Sequence, residues 1–354
     1  MRVLFVSNYP HLPDIHGGLQ TTTHDLCLAI QAMGGHAAVL CGQPDASAAP
    51  LSQDSQLGYR VMRARHPETV LAEAAASWHA EVIVVQTGTS LLPMVIRSLA
   101  TGLLPMVIRS LATGLPTAVY LHNVETHQLA GTLTPDPSLR YFANSDFTAQ
   151  RWRALSGIDC CVIPPIVDPE RYLVAHTGEQ VLFVNPTPIK GVEILFALAA
   201  ACPELPFLVY ESWHLAPAWR EHCLVRAQAL GNIRWCAPTL DMREAYAQAK
   251  VLLMPSIWEE SFGRTVIEAQ LNGLPVLASH RGALPALVGE GGITLDPHAP
   301  MADWAQALRQ LYATAPDYHH AARQRGMRHA AATPLVVGQL LTELALHAAT
   351  RAPH

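Results

Sequence analysis

Two carboxylates, Glu260 and Glu268, stand with seven residues between them in the phrase Pro255-Ser-Ile-Trp-Glu-Glu-Ser-Phe-Gly-Arg-Thr-Val-Ile-Glu268. The apolar run Val251–Met254 before them reads as a strand, and from Phe262 the pattern turns helical. Glu260 therefore belongs to the loop at the helix start, and Glu268 lies about two turns along the helix. Gly263 permits close backbone approach. A helix N-terminus offers unsatisfied N–H groups to an anion. A sugar nucleotide needs these parts: donors for a diphosphate and carboxylates for sugar and ribose hydroxyls. By spacing alone, a solvated carboxylate pair on a surface helix fits as well.

A second candidate is Lys190-Gly191, in Phe183-Val-Asn-Pro-Thr-Pro-Ile-Lys190-Gly191-Val-Glu, where a strand passes through a Pro-rich turn into a helix. The chain has only two lysines, Lys190 and Lys250, among its 23 basic residues. A lysine kept at this turn points to a phosphate contact; the alternative is a solvated helix cap. Gly17-Gly18 follow the first strand and precede a helix, where a simple turn would also explain them. His122 ends the strand Thr117–Leu121, with Asn123 and Glu125 as weaker companions. Ser145 reads as the N-cap of a helix, and capping explains it sufficiently.

The elements that must hold these residues alternate. Val3–Val6, Ala37–Leu40, Val82–Val85, Thr117–Leu121 and Cys161–Ile163 read as strands, with helices over Thr21–Met33, Glu68–Trp78 and Asp146–Leu155. The stretch Ile163-Pro-Pro-Ile-Val-Asp-Pro breaks both periods and reads as an interdomain linker. Strands then resume at Val181–Val184, Phe207–Tyr210, Ile233–Trp235, Val251–Met254 and Pro275–Ala278, with a helix over Val192–Ala201 and a helical tail from Met301. Such strand–helix repeats predict α/β units with parallel sheets covered on both faces. The expected domains are residues 1–165 and 166–334, with a last helix near 335–348 packing back on the first.

Composition narrows the class. A chain of 354 residues, half of them hydrophobic and 14% charged, is built to bury cores. A net charge of −5 gives no basic field for nucleic acid. Seven cysteines without a C-x-x-C pair fit reduced thiols, and the absence of a leader pattern at the N-terminus makes cytoplasmic the expected location. Residues 91–102, LLPMVIRSLATG, recur identically as 103–114. A single copy has the normal length for the helix between two strands. The doubling reads as a recent duplication or an artefact, or as an added surface helix in weak peripheral contact with a membrane. Arg97 and Arg109, with Pro and Gly, argue against a spanning helix.

The words around Glu260 and Glu268, SIWEESFGRTVIEAQLNGLPVLASHRGALPALVGEGGITLDP, strongly resemble the retaining GT-B glycosyltransferases of the large group 1 (family 4) class. The resemblance spans nearly the whole chain and is specific mainly over residues 180–300. It implies the GT-B architecture, two Rossmann-like parallel-sheet domains facing across a cleft, with the donor on the C-terminal domain and the acceptor on the N-terminal one. It further implies a nucleotide-sugar donor such as a UDP- or GDP-sugar, a hydroxyl acceptor (glycan, lipid-linked or small molecule), and retained anomeric configuration. Carried over by motif, Glu260 and His122 approach the donor sugar and Glu268 the ribose. The amides of Ser261, Phe262 and Gly263 face the sugar or phosphate. Lys190-Gly191 approach the diphosphate, and Gly17-Gly18 let the acceptor and the donor phosphate approach the backbone. No cofactor is expected beyond the nucleotide-sugar co-substrate.

The chain also departs from the pattern. Asn185-Pro186 stand where the family carries an Arg, in a shorter loop; Arg264 is the expected substitute. Ala286 replaces a Glu after Pro285. No Asp-x-Asp motif occurs, which fits a metal-independent transferase. Two other readings stay open: a non-catalytic sugar-nucleotide or glycan-binding protein of this fold, and a sugar-nucleotide epimerase. No G-x-G-x-x-G follows the first strand, which disfavours an oxidoreductase.

Overall fold

The computed structural model describes residues 1–43, 51–86, 105–125, 133–175, 177–212 and 215–350. The chain divides into two compact units, one of residues 1–166 with 333–354 and the other of residues 167–332. The boundary between Ile166 and Val167 lies inside the proline-rich stretch.

The first unit contains β1 (Arg2–Pro10), α1 (Gly18–Ala32), β2 (His36–Gly42), β3 (Leu51–Asp54), β4 (Arg60–Ala64), α2 (Pro67–Trp78), β5 (Val82–Gln86), α3 (Pro105–Ala112), β6 (Thr117–Leu121), β7 (Leu139–Ala143), α4 (Asp146–Ser156) and β8 (Cys161–Val162). These strands form one sheet in the order β3-β4-β2-β1-β5-β6-β7-β8. All neighbours pair in parallel except the edge strand β3, which runs antiparallel to β4. The first copy of the doubled block lies outside the described residues. The second copy supplies α3, whose Met106 and Val107 are buried in the core beside Ile83, Val85 and Val119.

The second unit contains β9 (Gln180–Val184), α5 (Val192–Ala201), β10 (Phe207–Tyr210), α6 (Pro217–Leu230), β11 (Ile233–Cys236), α7 (Arg243–Tyr246), β12 (Ala249–Met254), α8 (Arg264–Leu271), β13 (Val276–Ser279), α9 (Leu284–Val288), β14 (Gly292–Leu295), α10 (Met301–Ala313) and α11 (Ala315–Ala331). Its six strands are ordered β11-β10-β9-β12-β13-β14, and every pair is parallel. Alternation explains the near-continuous apolar strands. Val181, Phe183, Val209, Val251 and Leu253 enter a core with α5 and α10 on one face. Leu182, Leu208, Tyr210 and Leu252 enter a second core with α8 on the other. A single polar substitution in these strands would therefore strand an unpaired group in one of two dry layers.

The chain then returns to the first unit as α12 (Thr333–Ala349). Arg140 pairs with Glu343 at 2.7 Å, and the His347 ring meets the Thr117 carbonyl at 3.0 Å. Among the described residues no helix is long and apolar enough to cross a membrane.

Candidate functional site

In the second unit the loops after β9 and β12 are neighbours, because those strands are paired at the centre of the sheet. The β9 loop tightens into a single 3-10 turn, Pro188–Lys190, and reverses at Gly191 with φ +82°. A Cβ on Gly191 would lie 2.0 Å from the Pro255 carbonyl oxygen, so only glycine allows the two loops to touch. The amides of Ile257 and Trp258 both donate to the Ile189 carbonyl, at 3.1 and 3.2 Å. This framework brings Lys190 Nζ to 2.6 Å from Glu260 Oε1, and Ser256 Oγ donates to the same oxygen at 2.6 Å. Glu260 is only 6% exposed. A third loop closes over its backbone: the Ala283 amide donates to the Glu260 carbonyl at 2.8 Å. There Gly282, at φ +59°, would place a Cβ 2.2 Å from that same oxygen.

Glu268 is equally buried, at 6% exposed. The two carboxylates are therefore not a solvated surface pair. Tyr246 Oη donates to Glu268 Oε2 at 2.7 Å, and Arg264 Nε donates to Oε1 at 3.3 Å. Burial and the adjacent carboxylate raise the Tyr246 pKa well above its ordinary value, so the phenol stays a donor. Arg264 also donates to Tyr172 Oη at 3.3 Å, so its guanidinium faces the Glu268 pocket. Between the two carboxylates the helix begins at Gly263, φ +114°, with no side-chain cap. A helix start of this kind directs backbone donors outward, where an anion can accept from them. Phe262 is buried, with its ring 5.7 Å from that of His329.

The remaining sequence candidates lie in the first unit. Gly17 is the extended N-cap of α1 and Gly18 its first residue, so the helix begins three residues earlier than the pattern predicts. His122 follows β6; its ring centroid lies 4.1 Å from that of Tyr120, and its carbonyl accepts from Asn144 Nδ2 at 3.1 Å. Burial pulls the His122 pKa down to about 3, so the imidazole is neutral at physiological pH. Ser145 caps α4 through the Thr148 amide at 3.0 Å. Sequence reading did not single out Ser256, Tyr172, Tyr246 or Gly282. Ser256 lies within the same phrase as Glu260 and could have been found there; the other three carry no local signal.

Residues 180–314 match the family described as Glycosyl transferases group 1. Among curated proteins, the chain is 43% identical over 76 residues to the D-inositol 3-phosphate glycosyltransferase of Corynebacterium kroppenstedtii, covering 21% of this chain and 16% of that one. It is 30% identical over 224 residues to the enzyme of that name from Mycobacterium sp. (strain KMS), covering 60% of this chain and 45% of the relative. The chain thus spans less than half the length of these curated relatives. Among solved structures, sucrose-phosphate synthase from Thermosynechococcus elongatus matches with a TM-score of 0.75 at 18% identity, over 98% of this chain and 99% of that one. Anabaena HepE in complex with UDP and glucose matches with a TM-score of 0.75 at 16% identity, over the same shares. The second unit thus carries a Glycosyl transferases group 1 domain over residues 180–314, and the two parallel-sheet α/β units have the GT-B fold.

Proposed function

We propose that this protein transfers a sugar from a nucleotide-sugar donor, of the UDP- or GDP-sugar class, to a hydroxyl acceptor with retained configuration and without a metal ion. The observation that carries the reading is the Lys190–Glu260 contact of 2.6 Å, which joins two loops at the C-terminal ends of adjacent parallel strands. Ligands of open α/β sheets bind at those ends. In this reading Lys190 and the backbone amides at the start of α8 stabilise charge developing on the leaving diphosphate. Glu260 orients the donor sugar and Glu268 the ribose. Tyr246 and Arg264 hold Glu268 in place. The departing phosphate oxygen takes the acceptor proton on the face from which it leaves, which retains configuration. His122, whose pKa burial lowers to about 3, acts as a neutral hydrogen-bonding group at pH 7.

The test is a donor-consumption assay across UDP- and GDP-sugars, followed by the anomeric proton resonance of the product. Transfer or slow hydrolysis with retained configuration, lost in Glu260→Gln, is the expected result. Inverted product would overturn the retaining assignment. Nucleotide binding without turnover would replace the transferase reading by that of a non-catalytic sugar-nucleotide-binding protein. Epimerised donor without glycoside would indicate an epimerase.

A further inference from the structure

Beside the Lys190 turn lies a second charged pair that the assignment above does not use. Asn185, the first residue after β9, adopts φ +69°, a left-handed conformation that asparagine tolerates and long side chains rarely adopt. It is 6% exposed, and its Oδ1 has no hydrogen-bond partner among the described residues. Its amide donates to the Tyr210 carbonyl at 2.9 Å, which fixes it against the end of β10. The residue that follows β10 is Glu211, buried at 8% exposed. Glu211 Oε1 accepts from Arg220 Nε and from Trp235 Nε1, each at 2.6 Å. Trp219, adjacent to Arg220 on α6, donates from Nε1 to the Pro186 carbonyl at 3.1 Å, so the helix start is tied to the loop that carries Lys190.

Arg220 is therefore held by Nε alone. Its two terminal nitrogens make no hydrogen bond among the described residues, and its side chain is 45% exposed. Arg264, by contrast, is turned toward Glu268 and Tyr172. A guanidinium whose Nε is fixed by a buried carboxylate presents its terminal N–H groups as a ready fork for phosphoryl oxygens. The fork stands at the C-terminal edge of a parallel sheet, one strand from the Lys190 turn.

Resting on the nucleotide-sugar reading, we propose that Arg220 is a second cation of the donor phosphate site, that it contacts phosphoryl oxygens through its terminal nitrogens, and that Glu211 is its positioning residue. The charge comes from α6 because the left-handed turn at Asn185 leaves a short neutral side chain at the end of β9.

Calorimetric titration of the full chain tests this, with UDP, GDP and the corresponding nucleosides as probes. Arg220→Gln should weaken diphosphate binding by about tenfold or more, the scale of a lost charge-assisted hydrogen bond, and change nucleoside affinity by less than about twofold. Arg220→Lys should recover part of the loss. Glu211→Gln should lower the ratio of diphosphate to nucleoside affinity although Arg220 is still present. Equal losses for diphosphate and nucleoside, or unchanged diphosphate affinity in Arg220→Gln, would overturn the role of Arg220 and leave the donor reading standing. Failure of the wild-type chain to bind either diphosphate would overturn both.

Discussion

Removing Lys190 while leaving Glu260 should be more damaging than removing both charges. Glu260 Oε1 sits 2.6 Å from Lys190 Nζ, and the two side chains are 8% and 16% exposed. A buried pair broken on one side leaves an uncompensated charge, at a cost of about 3–5 kcal/mol. Ser256 still donates to the carboxylate and the lysine end is not fully dry, so the lower end applies, about 3 kcal/mol for Lys190→Met. Glu260→Gln keeps the shape and leaves the ammonium, which can reach solvent more readily, so about 2 kcal/mol is expected. The double variant carries neither charge of this pair. It should lose about 1–2 kcal/mol, giving a coupling of about 3–4 kcal/mol of opposite sign to the single losses. Urea unfolding with a fixed slope measures the three stabilities, and donor consumption measures activity on the same preparations. All three variants should be inactive, although the double variant is more stable than Lys190→Met. Additive stability losses would show that the pair does not act as a unit. Near-normal turnover of Lys190→Met would remove Lys190 from the chemistry.

Three other outcomes are expected. Gly191→Ala sets a methyl carbon 2.0 Å from the Pro255 carbonyl at φ +82°, so the two loops must separate; thermal unfolding and donor binding should both be impaired, and a wild-type profile would contradict the loop packing. Tyr246→Phe removes the donor to Glu268 Oε2 at 2.7 Å and should cost about 1–3 kcal/mol, with nucleotide affinity falling more than turnover at saturation. The third is a pH effect from His11, whose pKa burial lowers from 6.5 to about 3, with His24 and Arg63 adding to the shift. The unfolded chain binds the proton first, so this contribution is intact above pH 6.5 and is lost as pH falls toward 3. At pH 5 the loss is about 2 kcal/mol. His11→Gln should flatten the melting temperature between pH 7 and pH 5, and an unchanged slope would refute the assignment.

The strands that carry the site were readable because they are buried on both faces. Val181–Val184 and Val251–Met254 are almost wholly apolar, and each ends at a sharp change to Pro, Gly or charged residues. Other strands lacked that signature. β3 reads Leu-Ser-Gln-Asp and forms only an antiparallel edge; β7 reads Leu-Arg-Tyr-Phe-Ala, with no β-branched residue. Within the site, residue types were legible and surroundings were not. Spacing left Glu260 and Glu268 equally able to be solvated, and their burial depends on chain segments remote in sequence. Glu260 meets Lys190 from 70 residues away; Glu268 meets Tyr246, 22 residues before it. Arg264 meets Tyr172 from 92 residues away. Arg220 and Glu211 belong to no recognisable phrase, and only the sheet brings them beside the Lys190 turn.

The central claim is that the loops around Lys190, Glu260 and Glu268 hold a sugar nucleotide. A thermal-shift titration with nucleoside diphosphates and their sugars tests it most directly. A ligand present at about a hundred times its Kd stabilises the folded chain by about 2.7 kcal/mol, enough to raise the melting temperature by several degrees. The account predicts such a rise for at least one UDP- or GDP-containing ligand, and its loss in Glu268→Gln. A melting temperature unmoved by every nucleotide, or moved equally in wild type and Glu268→Gln, would contradict it.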